Sequence, residues 1–167
     1  MKAELEKQLV EKYPKILQDY RGDKMVTCMH WGLECGEGWY ELLDKCMEKL
    51  QYFCDLCLYK NGVEVQIVAN QIKEKFGTLR FYYTTNQATD VESRIIDNIV
   101  SAAEQASERT CEVTGKDGNL CVKGGWYKTL CYEEARKQQY KASDPDLEGY
   151  WQFKDEKKDQ NDDNKSR

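Results

Sequence analysis

Residues 71–83 read QIKEKFGTLRFYY, and this stretch decides the fold of the predicted sheet. Gly77 lies between two runs of β-prone residues, so the segment predicts a hairpin with Phe76 and Gly77 at its tip. Side chains alternate across a strand, so the hairpin has an apolar face and a polar face. The apolar face carries Ile72, Leu79, Phe81 and Tyr83. The polar face carries Gln71, Lys73, Lys75, Arg80 and Tyr82.

The polar face of this hairpin places Lys73 directly opposite Arg80. Two like charges at paired positions repel and weaken a sheet, so this pair favours an anion bound between them. Arginine binds phosphate through paired hydrogen bonds, and aromatic rings stack on nucleobases. This combination is typical of a site for a nucleotide or for a short single strand of nucleic acid. With Trp126 from a later glycine-rich loop, the predicted ligand-binding residues are Lys73, Lys75, Phe76, Arg80, Tyr82 and Trp126.

Two other interpretations of the same face stay open. Tyrosine, tryptophan and arginine also anchor protein interfaces, so these residues are compatible with a protein partner. Equally, the three cations are compatible with an ordinary solvent-exposed face of an amphipathic hairpin that binds no ligand. In that case their neutralising partners are Glu34, Glu64 or Glu74.

The size and charge of the chain limit what it binds. Its 167 residues are enough for one compact domain with a substantial core. The formal net charge is -5 and the isoelectric point is about 5.1, so an anion site must be a local basic patch on an acidic background. Nonspecific binding of duplex DNA relies on many phosphate contacts, and we do not expect it here.

We expect a cytoplasmic protein with no membrane partner. The first residues, MKAELEKQLVEKY, are charged throughout and lack the apolar core of a signal peptide. The sequence contains no apolar run of the length that spans a bilayer. In a reducing compartment the eight cysteines are thiols or metal ligands rather than disulfides.

Hydrophobic periodicity predicts an α+β fold around the hairpin. Residues 5–20 are helical with an interruption near Pro14, and residues 39–58 form a central buried helix. Residues 63–69 alternate apolar and polar side chains, which predicts a strand leading into the hairpin. Thr89 begins a second amphipathic helix with a capping box. A small antiparallel sheet therefore packs on two or three amphipathic helices.

The predicted domain boundary lies near residue 140. Residues 1–140 form a single α+β domain, in which residues 110–135 form a C-terminal knuckle that contains cysteines. From Lys154 onward the sequence has no apolar residue and carries charges of both signs. We therefore expect residues 141–167 to form a polar, largely disordered tail.

Residues 110–135 have the outline of a zinc ribbon that lacks half of its ligands. A structural zinc ion takes four ligands, commonly from two C-x-x-C pairs. Here Thr114 and Glu134 stand where the second cysteine of each pair belongs, after Cys111 and Cys131. The predicted metal ligands are Cys111, Cys121 and Cys131. The alternatives for the cofactor are none at all or one structural zinc ion.

Three motifs occur in order along the chain: CGEGW at residues 35–39, KEKFGTLRFY at residues 73–82, and a C…GGW…LC segment at residues 111–131. They resemble the CGxGW turn, KEKFGxLRFY hairpin and zinc ribbon of a family of uncharacterised small phage, prophage and bacterial proteins. The resemblance implies a shared fold and a viral or mobile-element context. For a phage-encoded protein it implies the cytoplasm of the host cell, and it implies no settled activity.

Two further groups of cysteines are candidates for chemistry. Cys28 and Cys35 flank His30, the single histidine of the chain, and a catalytic dyad there needs a contact between thiol and imidazole. An ordinary loop is the simpler interpretation. Cys54 and Cys57 form a C-x-x-C inside a helical pattern, which favours buried structural thiols.

These observations favour a non-catalytic, phage-type accessory protein with a counter-defence role. It binds and sequesters an anionic, nucleotide-like small molecule. The alternative is a protein-interaction inhibitor that blocks a host defence enzyme, for example by acidic mimicry of nucleic acid. We expect no enzyme, because neither a metal set nor an activated nucleophile can be assembled from the sequence.

Overall fold

The computed structural model describes the backbone of residues 1–165 and the side-chain surroundings of residues 1–157. The fold is mixed α+β, as the sequence predicts. The helices are α1 Ala3–Lys12, α2 Tyr40–Asn61, α3 Asp90–Ser107, α4 Tyr132–Gln138 and α5 Pro145–Lys165. The strands are β1 Leu33–Glu34, β2 Gln66–Lys75, β3 Thr78–Asn86, β4 Asn119–Lys123, β5 Trp126–Leu130 and β6 Lys141–Ala142. Within these residues no helix combines the length and apolar character needed to cross a membrane.

The first sheet has the strand order β1-β2-β3. Strands β2 and β3 form the predicted antiparallel hairpin, with Lys73 opposite Arg80. Phe76 and Gly77 turn the chain with φ angles of 54° and 84°, positive values typical of the two-residue turns in hairpins. The register shifts after Ala69, where a change of phase in the sequence predicts a bulge.

One strand of this sheet was not predicted. β1 pairs in parallel with β2, so the first sheet is not purely antiparallel. Leu33 pairs with Ile72 and Glu34 with Lys73. A strand of two residues is too short to show the alternation that identifies strands in a sequence.

Helix α3 covers the outer edge of β3. The backbone N–H of Leu79 donates to Ser107 Oγ at 2.8 Å, and the N–H of Phe81 donates to Glu104 Oε1 at 2.9 Å. These bonds satisfy donors that an edge strand otherwise offers to another chain. The helix begins with the predicted capping box at Thr89.

The first core lies between the apolar face of the hairpin and helices α2 and α3. Trp39, immediately before α2, is fully buried, and its indole N–H donates to the Thr110 carbonyl at 2.8 Å. The largest fully buried side chains of the sheet and α2 include Leu43, Met47, Leu50, Ile67, Ile72 and Leu79. The sequence predicts this layer, because each element shows the correct period for its apolar positions.

A second sheet, with the strand order β5-β4-β6, forms a smaller core with α4 and α5. The residues buried there are Cys111, Cys121, Leu130, Cys131, Ala135, Ala142 and Trp151. Most of these residues belong to the predicted knuckle at 110–135, which is therefore part of a larger packed unit that also includes residues after 140.

The segment after residue 140 is ordered where the sequence predicts disorder. β6 pairs with β4, and Trp151 of α5 is only 4 % exposed. The guanidinium of Arg136 lies 5.3 Å from the Trp151 ring and forms ion pairs with Glu148 at 3.0 Å and Asp155 at 2.8 Å. The prediction of a disordered tail from 141 is wrong for this part, because one buried ring and two ion pairs with α4 hold the helix. The side chains after residue 157 lie outside the described part.

The two cores meet at the CGEGW turn. The backbone N–H of Gly38 donates to the Glu112 carbonyl at 2.8 Å, and the N–H of Gly36 donates to Glu112 Oε1 at 2.8 Å. A Cβ on Gly38 would lie 2.3 Å from the carbonyl oxygen of Cys111, a distance that no side chain tolerates. The turn is therefore a packing motif that fixes the second unit against the first.

Candidate functional site

The outer face of the first sheet carries the predicted cations. Lys73 and Arg80 are half-buried partners across β2 and β3, and Lys75 is exposed at the end of β2. Tyr82 lies on the same face and is 44 % exposed. We call these four residues the cationic face. The alternation of side chains along both strands puts them together, as the sequence predicts.

Contacts within the cationic face orient its side chains. Lys73 Nζ lies 5.7 Å from the centroid of the Tyr82 ring. Arg80 Nη1 donates to Thr78 Oγ1 and to the Leu79 carbonyl, both at 2.7 Å. Within the described residues no hydrogen bond uses Nη2 of Arg80, so part of the guanidinium fork remains for a ligand.

The acids that could neutralise this face have other partners. Glu34 lies beside it on β1 but accepts a hydrogen bond from Gln71 at 3.2 Å. Glu64 pairs with Lys15 at 3.0 Å. Glu74 accepts the backbone N–H of the hairpin tip at 2.5 Å. In the part of the chain that the structure describes, no ion pair reaches the cationic face.

Trp126 does not join the cationic face. It lies opposite Lys123 beside the Gly124–Gly125 turn between β4 and β5, and it is 77 % exposed. Among the described residues no ring or cation contact links it to Tyr82 or to the three cations. The sequence predicts the first hairpin and a glycine-rich loop around Trp126, but only long-range packing decides where that loop lies relative to the hairpin.

A groove opens at the tip of the first hairpin, where it meets the second sheet. It encloses about 720 Å³. Phe76, predicted as a ligand residue, lines this groove rather than the sheet and is 68 % exposed. We call it the tip groove, and its lining is Phe76, Thr78, Glu108, Arg109, Asp117, Gly118, Asn119, Leu120 and Thr129. Sequence reasoning missed Arg109, Asp117 and Asn119, because they carry no motif and meet Phe76 only in the folded protein.

The three predicted zinc ligands share one core but are not arranged to hold a metal ion. Among the described residues no group of three or more histidine, cysteine, aspartate or glutamate side chains could hold a metal ion. Cys121 donates its thiol to the Asn119 carbonyl at 3.2 Å, and burial raises its pKa to about 11. The proposed set of Cys111, Cys121 and Cys131 therefore does not fit a zinc ion, which needs four ligands.

Cys111 and Cys131 are both buried in the second core. The Thr114 hydroxyl lies 3.7 Å from Cys131 Sγ. Burial raises the pKa of Cys111, but hydrogen bonds from Thr114 and from backbone N–H groups outweigh it and lower that pKa below its ordinary value. Burial raises the pKa of Cys131.

The other cysteines show no arrangement for nucleophilic chemistry. Cys28 is exposed, whereas Cys35 is buried and its pKa is raised by burial to about 12. His30 Nδ1 lies 2.6 Å from the Gly22 carbonyl, and within the described residues no contact joins this ring to a thiol. Burial also raises the pKa of Cys54 to about 11. These features agree with structural thiols.

Comparison of the chain with protein-family models, with curated proteins and with solved structures found no match in any of the three. The resemblance of its three motifs to phage and prophage proteins therefore stays a prediction. The geometry of the cationic face and the tip groove is the basis for a functional proposal.

Proposed function

We propose that the protein is a non-catalytic binding protein that sequesters an anionic, nucleotide-like small molecule on its cationic face. The observation that supports this most directly is the pairing of Lys73 with Arg80. Two cations at opposed positions of an antiparallel pair destabilise the sheet. Glu34 lies beside Lys73 on β1, but among the described residues no ion pair reaches either Lys73 or Arg80. An anion between them removes that cost.

The chemistry of the face suits phosphate. The free edge of the Arg80 guanidinium offers a planar fork of donors, and Lys73 adds a compact charge across the strand pair. The Tyr82 ring beside Lys73 offers a surface for stacking. No step of this proposal breaks or forms a covalent bond, so the protein acts stoichiometrically.

Isothermal titration against mono-, di- and cyclic nucleotides tests the proposal. We expect 1:1 binding that weakens with added salt, because the contacts are ionic and partly exposed. Arg80→Gln should weaken binding about tenfold or more, since a charge-assisted hydrogen bond contributes roughly 1.5–3 kcal/mol. Lys7→Gln on α1 makes the same charge change away from the face and should leave binding unchanged. If the folded protein takes up none of these nucleotides, the proposal is wrong.

The biological setting in this proposal depends on the motif resemblance alone. We propose a phage-encoded counter-defence protein in the cytoplasm of its host, which removes a nucleotide-like signal. Expression of the protein in a host that carries such a defence should restore phage infection, and Arg80→Gln should abolish that effect. If the Arg80→Gln variant restores phage infection as well as the wild type does, the biological role does not depend on the cationic face.

A second candidate function is inhibition of a host protein through exposed aromatic side chains. Trp126 and Phe76, at the ends of two hairpins, are 77 % and 68 % exposed. Tryptophan often dominates the binding energy at protein interfaces, and phenylalanine is enriched there. The net charge of -5 is compatible with acidic mimicry of nucleic acid. A partner captured by the wild type but lost with Trp126→Ala, while nucleotide binding is absent, would favour this alternative.

A further inference from the structure

Phe76 combines two unfavourable features at the tip of the first hairpin. Its backbone has a φ of 54°, a region that bulky residues seldom occupy, and its ring is 68 % exposed. Two-residue hairpin turns favour asparagine, aspartate or glycine at this position. Strain of this kind at an exposed position indicates a functional constraint.

The tip groove offers hydrogen-bonding side chains opposite this ring. Asp117 forms an isolated bridge with Thr110, and Asn119 begins β4, so the segment is extended and the two side chains lie on one side. Gly118, between these two residues, faces the opposite side of the segment. A Cβ there would lie 2.7 Å from the backbone nitrogen of Cys111, so the protein interior is on that side. Asp117 and Asn119 both line the groove.

A carboxylate and an amide beside an aromatic ring match the chemistry of a nucleobase. The ring stacks on the base, and the carboxylate accepts hydrogen bonds from an exocyclic amino group. Arg109 also lines the groove, and guanidinium planes stack on bases too. Within the described residues, neither Asp117 nor Arg109 forms an ion pair that would occupy it.

The groove adjoins the cationic face at Thr78 and Phe76. Thr78 lines the groove and accepts the hydrogen bond from Arg80 Nη1 at 2.7 Å. Lys75 Nζ lies 5.5 Å from the centroid of the Phe76 ring. A ligand with its phosphate on Arg80 and Lys75 would extend past Thr78 into the groove.

We propose that the tip groove is the base-binding half of the ligand site, where Phe76 stacks on a nucleobase and Asp117 accepts its exocyclic amino group. This inference rests on the proposed function and adds a ligand class to it: nucleotides whose base carries an amino group. It also explains why a phenylalanine stands at a turn position that asparagine or glycine would stabilise.

The experiment compares ligands that differ only in the amino group. Guanosine monophosphate and inosine monophosphate form one such pair, and inorganic pyrophosphate serves as a probe without a base. We expect guanosine monophosphate to bind about fivefold more tightly than the inosine compound, because an amino–carboxylate hydrogen bond is lost. Cytidine and uridine monophosphates should show the same order.

Variants of the groove give the decisive contrast. Phe76→Asn should weaken nucleotide binding about tenfold, the loss expected for one stacked base, while raising the melting temperature because asparagine suits the turn. Asp117→Asn should abolish the preference for amino-bearing bases. Neither change should alter pyrophosphate binding, which Arg80→Gln should weaken. Tyr59→Asn on α2 serves as a control for loss of an exposed ring.

Each result separates the two proposals. Nucleotide binding that Arg80→Gln weakens but Phe76→Asn and Asp117→Asn do not would overturn the groove inference and keep the cationic face. Nucleotide binding that the groove variants weaken but Arg80→Gln does not would keep the groove and overturn the phosphate site. Absence of nucleotide binding by the folded wild type would overturn both.

Discussion

Thr129 Oγ1 on β5 donates a 2.7 Å hydrogen bond to the carbonyl oxygen of Gly77 at the tip of the first hairpin. Thr129 is fully buried, so this bond is shielded from water. A Cβ on Gly77 would also lie 2.6 Å from Leu120 Cδ1, so the tip rests closely on the second sheet. The position of the tip groove is therefore set by contacts between the two sheets.

We predict that Thr129→Val destabilises the protein by about 1–3 kcal/mol, because the isosteric change leaves the buried Gly77 carbonyl without a partner. Urea unfolding followed by circular dichroism measures this. Thr84→Val, an exposed position on β3, is the matched control and should change the free energy of unfolding little. An equal effect of both variants would show that the bond contributes nothing.

The buried carboxyl group of Glu112 should make the stability of the protein depend on pH in a direction that its pKa shift determines. Burial, and to a lesser extent nearby Glu74, raises the pKa of Glu112, against the opposing effect of the Gly36 N–H and Lys128. A carboxyl with a raised pKa in the folded state holds its proton longer there than in the unfolded chain. Stability from this group is therefore present at low pH and is lost as the pH rises above about 4.5 through the folded-state pKa.

Glu112→Gln should remove that loss, since the amide stays neutral and its carbonyl still accepts from the Gly36 N–H. The free energy of unfolding of Glu112→Gln should therefore increase relative to that of the wild type as the pH rises from 4 to 7. Glu41→Gln, at an exposed position of α2, is the control. A difference in stability between Glu112→Gln and the wild type that stays constant over this pH range would contradict the assignment.

Trp151 should be the main anchor of α5. Trp151→Ala removes a ring buried in the second core and stacked near Arg136, and we expect a loss of about 3–5 kcal/mol. Phe153→Ala, on the same helix but half exposed, should cost much less. Limited proteolysis after residue 140 reports the same contrast. Equal protease resistance of both variants would mean that the Trp151 ring is not the main contact that holds α5 on the second core.

Cys28 should react first with a thiol reagent. It is exposed, whereas the other thiols are buried or half-buried, and burial raises the pKa of Cys35 and Cys46 to about 12. The thiolate is the reactive form, so a raised pKa slows alkylation at neutral pH. Native protein should show one fast thiol with iodoacetamide, and Cys28→Ser should remove it. A fast phase that survives this change would contradict the burial pattern.

The charge pair on the sheet should limit stability in the absence of ligand. Lys73→Gln removes the repulsion with Arg80 and should raise the free energy of unfolding by about 0.2–1 kcal/mol. Lys7→Gln should not. Thermal unfolding in low salt shows the effect most clearly, since salt screens exposed charges. A destabilised Lys73→Gln variant would mean that the two cations do not oppose each other in the free protein.

The sequence by itself determined the hairpin, its register and the outward position of Lys73 and Arg80, because alternation along a strand is a local property of the backbone. It also determined the amphipathic helices and the capping box at Thr89. These features depend on residues that are close in the chain.

Tertiary structure alone decided the rest. The tip groove joins Phe76 to Asp117 and Asn119, which are separated by some forty residues of chain. Trp126 belongs to the second sheet and makes no ring or cation contact with the cationic face among the described residues. Trp151 packs into the second core, although the composition around it is that of a disordered tail. Contacts between distant segments depend on how the two cores dock, and no local period in the sequence encodes that docking.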